Sequence, residues 1–169
     1  TVLAEGALIP QGDILDKAVD IYREIFDEIS PNTTRLFPRV KETLMRMHAD
    51  GTILTIASGK SRRVLLQMMR DFDLHALVRA IVCDDDVDHK KPAPDMALRA
   101  LSLTGTRPEE ALVVGDTTFD IEMGRSAGCK TCGVTFGNHS RSQLQAAGAD
   151  FLIDDFAQLR EIVLARRES

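Results

Sequence analysis

Two aspartates follow a short apolar run, and their spacing allows both carboxylates to bind one ligand. The segment LVVGDTTFD spans residues 112–120 and contains Asp116 and Asp120. If a helix begins here, the two carboxylates lie about one turn apart and can face one point. Adjacent carboxylates repel each other unless a cation or a proton separates them, and Mg²⁺ prefers oxygen ligands. The alternative is structural: Asp116 caps the helix and Asp120 complements its dipole.

Two more polar clusters follow other apolar runs. Ser58 can donate a hydroxyl hydrogen bond, and Gly59 lets the backbone amides at the next helix start approach an anion. Lys91 is a point charge suited to a phosphate, in a loop that Pro92 and Pro94 stiffen. The alternatives are an ordinary N-cap serine and a solvated surface lysine. Taken together, a hydroxyl, a cation and an acidic pair describe a pocket for phosphate and magnesium.

The elements that must position these side chains alternate from Gly51 onward. Short apolar runs alternate with amphipathic segments, which predicts an α/β fold: a Rossmann-like parallel sheet with helices on both faces. Ligands bind at the carboxyl ends of such strands, so the three clusters should meet there. The first run is continuous and partly β-branched, which predicts a strand buried on both faces. The predicted strands are residues 53–57, 80–83, 111–114, 131–136 and 151–153.

The part of the chain before Gly51 has a helical pattern. An apolar stripe of helical period runs through residues 14–29, and the Ser-Pro-Asn run at residues 30–32 ends it. A second helix is predicted after Pro38 and stops at Gly51.

Composition and charge exclude several classes of function. The 169-residue chain has a net charge of -5, so it has no basic surface for a nucleic-acid partner. No apolar run is as long as a membrane span. The three cysteines are an odd number without a disulfide framework, which favours a cytoplasmic location. Cys129 and Cys132 form a CxxC, but no second CxxC accompanies them, so buried packing is the better interpretation.

Three segments resemble motifs of a known family. They are IASGKS at residues 56–61, KPAPD at residues 91–95 and VGDTTFD at residues 114–120. In order and spacing they are similar to motifs two, three and four of the haloacid-dehalogenase-like hydrolases. The phosphoglycolate-phosphatase-like branch is the most similar, with Leu-Phe-Pro at residues 36–38 and Gly-Asn-His at residues 137–139.

The resemblance implies roles for the candidate residues. Most members of the family hydrolyse phosphate monoesters through an aspartyl-phosphate intermediate. Ser58 matches the phosphate-binding hydroxyl residue, next to Gly59, and Lys91 matches the catalytic lysine that holds the phosphate. Asp116 matches the direct Mg²⁺ ligand, and Asp120 matches the second acidic residue of the metal site. Mg²⁺ is therefore the expected cofactor, and a small phosphorylated metabolite, such as phosphoglycolate, is the expected substrate.

The family's first motif, DxDxT, supplies the nucleophile, and it is absent from the 169 residues. Asp13, Asp16 and Asp20 lie on a helical pattern, and the acidic run at residues 84–86 has no following threonine and is interpreted as a solvated loop. We therefore expect residues 1–35 to be the C-terminal part of a helical cap domain. Residues 36–169 are then the α/β core without its N-terminal central strand, and the nucleophile lies outside the chain.

Two hypotheses about function remain at this point. The first is a Mg²⁺-dependent phosphatase, with mutases and dehalogenases as other possibilities within the family. The second is a non-catalytic binding or interaction protein that has kept the fold. The absent motif favours the second, and the joint presence of Ser58, Lys91, Asp116 and Asp120 favours the first. The pattern does not indicate an oligomeric state.

Overall fold

The computed structural model describes residues 34–167. The chain divides into two compact units, Thr1–Arg35 and Leu36–Ser169. The helix predicted at residues 14–29 and the cap assignment lie outside the described residues and stay predictions. The described helices are α1 (Val40–Ala49), α2 (Arg62–Asp71), α3 (Asp95–Thr104), α4 (Thr118–Ser126), α5 (Arg141–Ala146) and α6 (Gln158–Arg167), and the strands are β1 (Leu54–Ser58), β2 (Val78–Cys83), β3 (Leu112–Gly115), β4 (Lys130–Val134) and β5 (Phe151–Ile153).

The five strands form two parallel sheets. β1 pairs with β2, and the pair ends with Ser58 opposite Cys83. β3, β4 and β5 form the second sheet in that order, with Gly115 opposite Gly133 at the end of β3. Within residues 34–167, β1 and β3 are not paired with each other. The predicted α/β class with parallel strands is confirmed, although the strands are hydrogen-bonded in two groups.

Helices cover both faces of the strands. One apolar cluster joins β2 to the helices α3 and α4, with Val82, Met96 and Met123 almost fully buried. A second cluster packs α1 and α6 on β4 and β5, through Met47 and Leu159 among others. Each buried aliphatic side chain of this kind contributes roughly 1.5–3 kcal/mol, so the two layers hold the strand ends in place.

The prediction that the first strand is buried on both faces is wrong. Ile53 precedes β1 and is 55% exposed, and Thr55 within the strand is also exposed. No residue of β1 is fully buried. The reason is that, among residues 34–167, β1 has a strand neighbour on one edge, whereas continuous burial requires neighbours on both edges and both faces.

None of the helices among residues 34–167 has the length and apolar character that a membrane span requires.

Candidate active site

Lys91 lies at the carboxyl ends of the strands and joins the two sheets. Its Nζ donates a 2.9 Å hydrogen bond to the carbonyl oxygen of Ala57 in β1 and a 2.8 Å hydrogen bond to Asp120 Oδ1. Asp120 lies in α4, which follows β3. The Lys91 side chain is 20% exposed and that of Asp120 is 11% exposed. An ion pair this sheltered is held more firmly than a surface pair, since water screens it less.

Asp120 also organises the start of α4. Thr117 is the N-cap, and its backbone N–H and hydroxyl donate to Asp120 Oδ2 at 3.1 and 2.7 Å. Asp120 therefore completes a capping box in the first turn, whereas the structural alternative gave it only the complementation of the helix dipole. The same alternative made Asp116 the cap, and that is wrong because Thr117 is the N-cap. Asp120 thus has a structural role at the helix start and a contact with Lys91 at the same time.

Asp116 is held by a loop that follows β4. The backbone N–H and side-chain amide of Asn138 donate to Asp116 Oδ2 at 2.9 and 2.5 Å. The backbone N–H of His139 donates to the carbonyl oxygen of Asp116 at 3.0 Å. The other carboxylate oxygen, Oδ1, accepts no hydrogen bond from the described residues, so it is the oxygen free to bind a cation.

Ser58 is the last residue of β1, and Gly59 follows it directly. The backbone N–H of Lys60 donates to Ser58 Oγ at 3.2 Å. The alternative that Ser58 is an N-cap is wrong, because Ser61 caps α2. The expectation that Gly59 adjoins the helix start is also imprecise, since α2 begins three residues later at Arg62. A short loop therefore lies between the Ser58 hydroxyl and the amides of the helix start.

Two glycines allow the backbone to approach the aspartates closely. A Cβ at Gly115 would overlap the Asp120 side chain, and a Cβ at Gly137 would overlap the Asp116 side chain. Gly59 is different, because a Cβ there would meet Asp84 Oδ1 at an ordinary contact distance of 3.5 Å. The two acidic side chains are thus packed directly against glycine backbone, which fixes their positions.

The donors present fit Mg²⁺. Mg²⁺ is usually held by one or two carboxylates and keeps several waters and a substrate phosphate as its other ligands. Asp116 Oδ1 offers an oxygen that is free of hydrogen bonds from the described residues, and Asp120 Oδ1 accepts a hydrogen bond from Lys91. Among residues 34–167, no three histidine, cysteine, aspartate or glutamate side chains converge to form a complete metal cage. The two carboxylates supply the kind of oxygen ligand that Mg²⁺ prefers.

The acidic run after β2 is more ordered than the predicted solvated loop. Asp84–Asp86 forms a 3₁₀ turn. Asp86 Oδ2 accepts a hydrogen bond from Arg62 at 2.5 Å and one from the backbone N–H of Cys83 at 2.7 Å. The hydrogen bond from Arg62 is the largest cause that lowers the pKa of Asp86. Asp84 pairs with Lys90 at 3.0 Å. The run is therefore tied to its neighbours by ion pairs.

The CxxC pair is buried, as predicted. All three cysteines of the described chain are free thiols in buried positions. Burial raises the pKa of Cys132 to about 12 and also raises the pKa of Cys129. A thiol with so high a pKa is almost fully protonated at neutral pH and is a poor nucleophile.

We therefore expect the folded protein to resist thiol alkylation. At pH 8, iodoacetamide should modify Cys129 and Cys132 only slowly in the native chain, since the thiols are protonated and shielded. The same chain in guanidinium chloride is the control, and all three thiols should react there. Intact-protein mass spectrometry counts the adducts, and rapid native labelling of Cys132 would contradict the buried assignment.

The residues that the sequence did not assign are Thr117, Asn138 and His139. Thr117 donates a hydrogen bond to the Asp120 carboxylate, and Asn138 donates one to the Asp116 carboxylate. His139 Nδ1 accepts a 3.0 Å hydrogen bond from the backbone N–H of Thr118, so the neutral ring carries its proton on Nε2. Its ring centroid lies 6.2 Å from that of Phe119. His139 therefore lies in the loop after β4, beside the start of α4.

Comparison with known proteins identifies relatives of the chain. The family model of the haloacid dehalogenase-like hydrolases matches residues 6–134. A phosphoglycolate phosphatase from Salmonella paratyphi A is 32% identical over 148 residues, which is 85% of this chain and 59% of the relative. The pyrophosphatase PpaX of Bacillus cereus is 31% identical over 149 residues, which is 88% of this chain and 69% of the relative. The chain thus spans only 59% of the length of the Salmonella relative.

Solved structures show the same relationship. A haloacid dehalogenase-like hydrolase from Bacteroides fragilis superposes with a TM-score of 0.84 at 31% identity, over 89% of this chain and 72% of that one. A structure described as a phosphoglycolate phosphatase from Haemophilus somnus gives a TM-score of 0.76 at 30% identity, over 81% and 61% of the two chains. With a matching family model, relatives above 30% identity and a shared fold, the chain belongs to the haloacid dehalogenase-like hydrolase family.

Proposed function

We propose that this chain is part of a Mg²⁺-dependent phosphatase that hydrolyses small phosphorylated metabolites. The observation that carries the proposal is the sheltered ion pair between Lys91 and Asp120, which joins the end of β1 to the start of α4. It lies beside Ala57, whose carbonyl oxygen Lys91 also binds and which directly precedes Ser58. A hydroxyl, an ammonium group and carboxylates at neighbouring strand ends form the donor set that a phosphate ester and its metal need.

Each side chain has a defined part in the proposed reaction. Lys91 donates hydrogen bonds to a phosphoryl oxygen and balances its negative charge as the reaction proceeds. The Ser58 hydroxyl donates a hydrogen bond to a second phosphoryl oxygen, and the loop at Gly59 leaves space for the phosphate. Asp116 and Asp120 would hold the magnesium ion. When bound, Mg²⁺ neutralises charge on the phosphate and orients it for attack.

The nucleophile of this reaction is proposed to lie outside residues 1–169. Family members form an aspartyl-phosphate on the first aspartate of DxDxT, and the chain contains no such motif. The phosphoglycolate phosphatase and pyrophosphatase relatives support a small phosphorylated substrate, with phosphoglycolate and pyrophosphate as the first candidates. The cytoplasmic location predicted from cysteine usage is part of the same proposal.

The 169-residue chain alone should therefore not hydrolyse p-nitrophenyl phosphate, phosphoglycolate or pyrophosphate in the presence of Mg²⁺. Release of inorganic phosphate measures this, with an intact phosphatase of the family as the positive control. Hydrolysis by the verified chain that disappears in Asp116→Asn would show that the nucleophile is within the 169 residues.

The coding sequence upstream of Thr1 and the intact mass of the natural protein separate the two hypotheses. A strand followed by DxDxT, together with Mg²⁺-dependent hydrolysis by the longer protein, supports the phosphatase. A start codon immediately before Thr1, with no such motif, would overturn the catalytic proposal in favour of a non-catalytic binding protein.

A further inference from the structure

The loop after β4 occupies one oxygen of the Asp116 carboxylate and leaves the other open. Oδ2 of Asp116 accepts a 2.9 Å hydrogen bond from the backbone N–H of Asn138 and a 2.5 Å hydrogen bond from the side-chain amide of the same residue. Each carboxylate oxygen has about two positions for a donor. The two donors of Asn138 therefore fill both positions on Oδ2, whereas Oδ1 accepts no hydrogen bond from residues 34–167.

The second aspartate of the site is restricted in a similar way. Asp120 Oδ2 accepts hydrogen bonds from the backbone N–H and the hydroxyl of Thr117, at 3.1 and 2.7 Å. Asp120 Oδ1 accepts one hydrogen bond, from Lys91 at 2.8 Å, so it keeps about one further position. Each aspartate can thus offer a cation one oxygen, and neither can offer both of its oxygens together.

The residues on either side of Asn138 hold it in place. Gly137 allows the loop to approach the site closely, because a Cβ there would overlap the Asp116 side chain. His139 donates its backbone N–H to the carbonyl oxygen of Asp116 at 3.0 Å, and its ring accepts the backbone N–H of Thr118 at 3.0 Å. The fold therefore places Asn138 on Oδ2 before any cation binds, which lowers the ordering cost of binding.

Mg²⁺ and Ca²⁺ differ in how they use a carboxylate. Mg²⁺ requires near-octahedral coordination at about 2.0–2.1 Å, keeps several waters and is usually held by one or two carboxylates. Ca²⁺ takes about six to eight oxygens at longer distances and often binds both oxygens of one carboxylate. Two aspartates that each give one oxygen therefore suit Mg²⁺, and they leave Ca²⁺ with fewer protein ligands than it prefers.

We propose that Asn138 is a positioning residue that restricts Asp116 to one metal-binding oxygen and so makes the site prefer Mg²⁺ over Ca²⁺. Asn138 acts through Oδ2 of Asp116 and not by contact with the cation. Loss of its side-chain amide leaves only the backbone donor on Oδ2, which frees a position and lets Ca²⁺ bind both oxygens. The inference rests on the proposed magnesium site, and it adds a residue and an ion preference that the proposed function does not assign.

The test replaces Asn138 with leucine, which keeps the branched shape of the side chain and removes the amide donor. Asn138 is exposed, so the substitution leaves no cavity in the core. Isothermal titration calorimetry measures the dissociation constants of the 169-residue chain for Mg²⁺ and for Ca²⁺, in phosphate-free buffer because calcium phosphate precipitates. We expect the wild type to bind Mg²⁺ more tightly than Ca²⁺, and Asn138→Leu to lower the ratio of the two dissociation constants by about tenfold.

Ser140→Ala is the matched control in the same loop. Ser140 caps α5, and its hydroxyl donates to the side chain of Gln143 at 2.9 Å. Its loss weakens the helix start but removes no donor from Asp116. Thermal unfolding should therefore show a lower stability for Ser140→Ala, whereas the ratio of dissociation constants should not change. Circular dichroism checks that each variant folds, and if Asn138→Leu does not, Asn138→Ala removes the same donor and decides the question.

Three outcomes would overturn the inference. Mg²⁺ binding with the same ratio in the wild type and Asn138→Leu shows that the asparagine does not set the ion preference, and it leaves the proposed phosphatase standing. An equal change of the ratio in Ser140→Ala shows that the order of the loop, and not the amide of Asn138, controls the preference. Absence of saturable Mg²⁺ binding by the wild type removes the magnesium site of the proposed function, and the inference with it.

Discussion

Replacement of Lys91 by methionine should lower the stability of the protein by about 2–4 kcal/mol and weaken phosphate binding at least tenfold. The variant Lys91→Met keeps most of the side-chain volume and removes the charge. Asp120, only 11% exposed at its side chain, then loses its cationic partner. Breaking a buried pair by removing one member is costly because the remaining charge stays desolvated. Ala57 also loses the donor to its carbonyl oxygen.

The neighbouring lysine is a matched control. Lys90 pairs with Asp84 at 3.0 Å, but its side chain is 49% exposed. An exposed pair contributes about 0–1 kcal/mol, so Lys90→Met should have a small effect on stability and little on phosphate binding. Urea unfolding and calorimetric titration with inorganic phosphate in Mg²⁺ buffer measure both variants. Similar losses of stability and phosphate binding in Lys90→Met and Lys91→Met would show that Lys91 is not a phosphate-binding residue of the site.

Substitution of Gly115 by alanine should destabilise the protein by about 3 kcal/mol or more, the upper range for overpacking. The added Cβ would overlap the Asp120 side chain at the end of β3. The strand end or the start of α4 must then move, which also disturbs the bond between Asp120 and Lys91. A similar effect is expected for Gly137→Ala, whose Cβ would overlap Asp116.

Gly59→Ala is the control for this prediction. Its Cβ would lie 3.5 Å from the nearest atom of Asp84, which is ordinary van der Waals contact. We expect a change within about 1 kcal/mol, as is usual when the backbone accepts a side chain without strain. Thermal unfolding ranks the variants. If Gly115→Ala were as stable as Gly59→Ala, the Gly115 backbone would not be packed closely against Asp120.

The strands and their polar ends could be predicted because the signals are local. Apolar runs, the glycine that ends β3 and the proline before α3 all lie within a few residues of the feature that they determine. The approach of Lys91 to Asp120 followed from one general rule, that the carboxyl ends of parallel strands share one edge. The α/β fold class could be predicted from the alternation of strand and helix patterns alone.

The parts that the sequence did not predict depend on distant contacts. Asn138 binds Asp116 across 22 positions of the chain, and its local sequence is an ordinary turn. The exposure of β1 depends on what lies on its second edge, which its own apolar run does not encode. The structural alternative placed the N-cap of α4 one residue early, at Asp116, because Asp116 and Thr117 are both good caps and packing decides between them. Asp116 is instead held by the loop at Asn138.

A magnesium titration tests the central claim, that Asp116 and its neighbours form the metal end of a phosphate pocket. Isothermal titration calorimetry should show saturable Mg²⁺ binding by the 169-residue chain in phosphate buffer. Asp116→Asn should weaken that binding by at least about tenfold, since it removes a charged ligand. Asp85→Asn, an exposed aspartate of the 3₁₀ turn after β2, should leave it unchanged. Equal binding by the wild type and Asp116→Asn, or a larger loss in Asp85→Asn, would contradict the account.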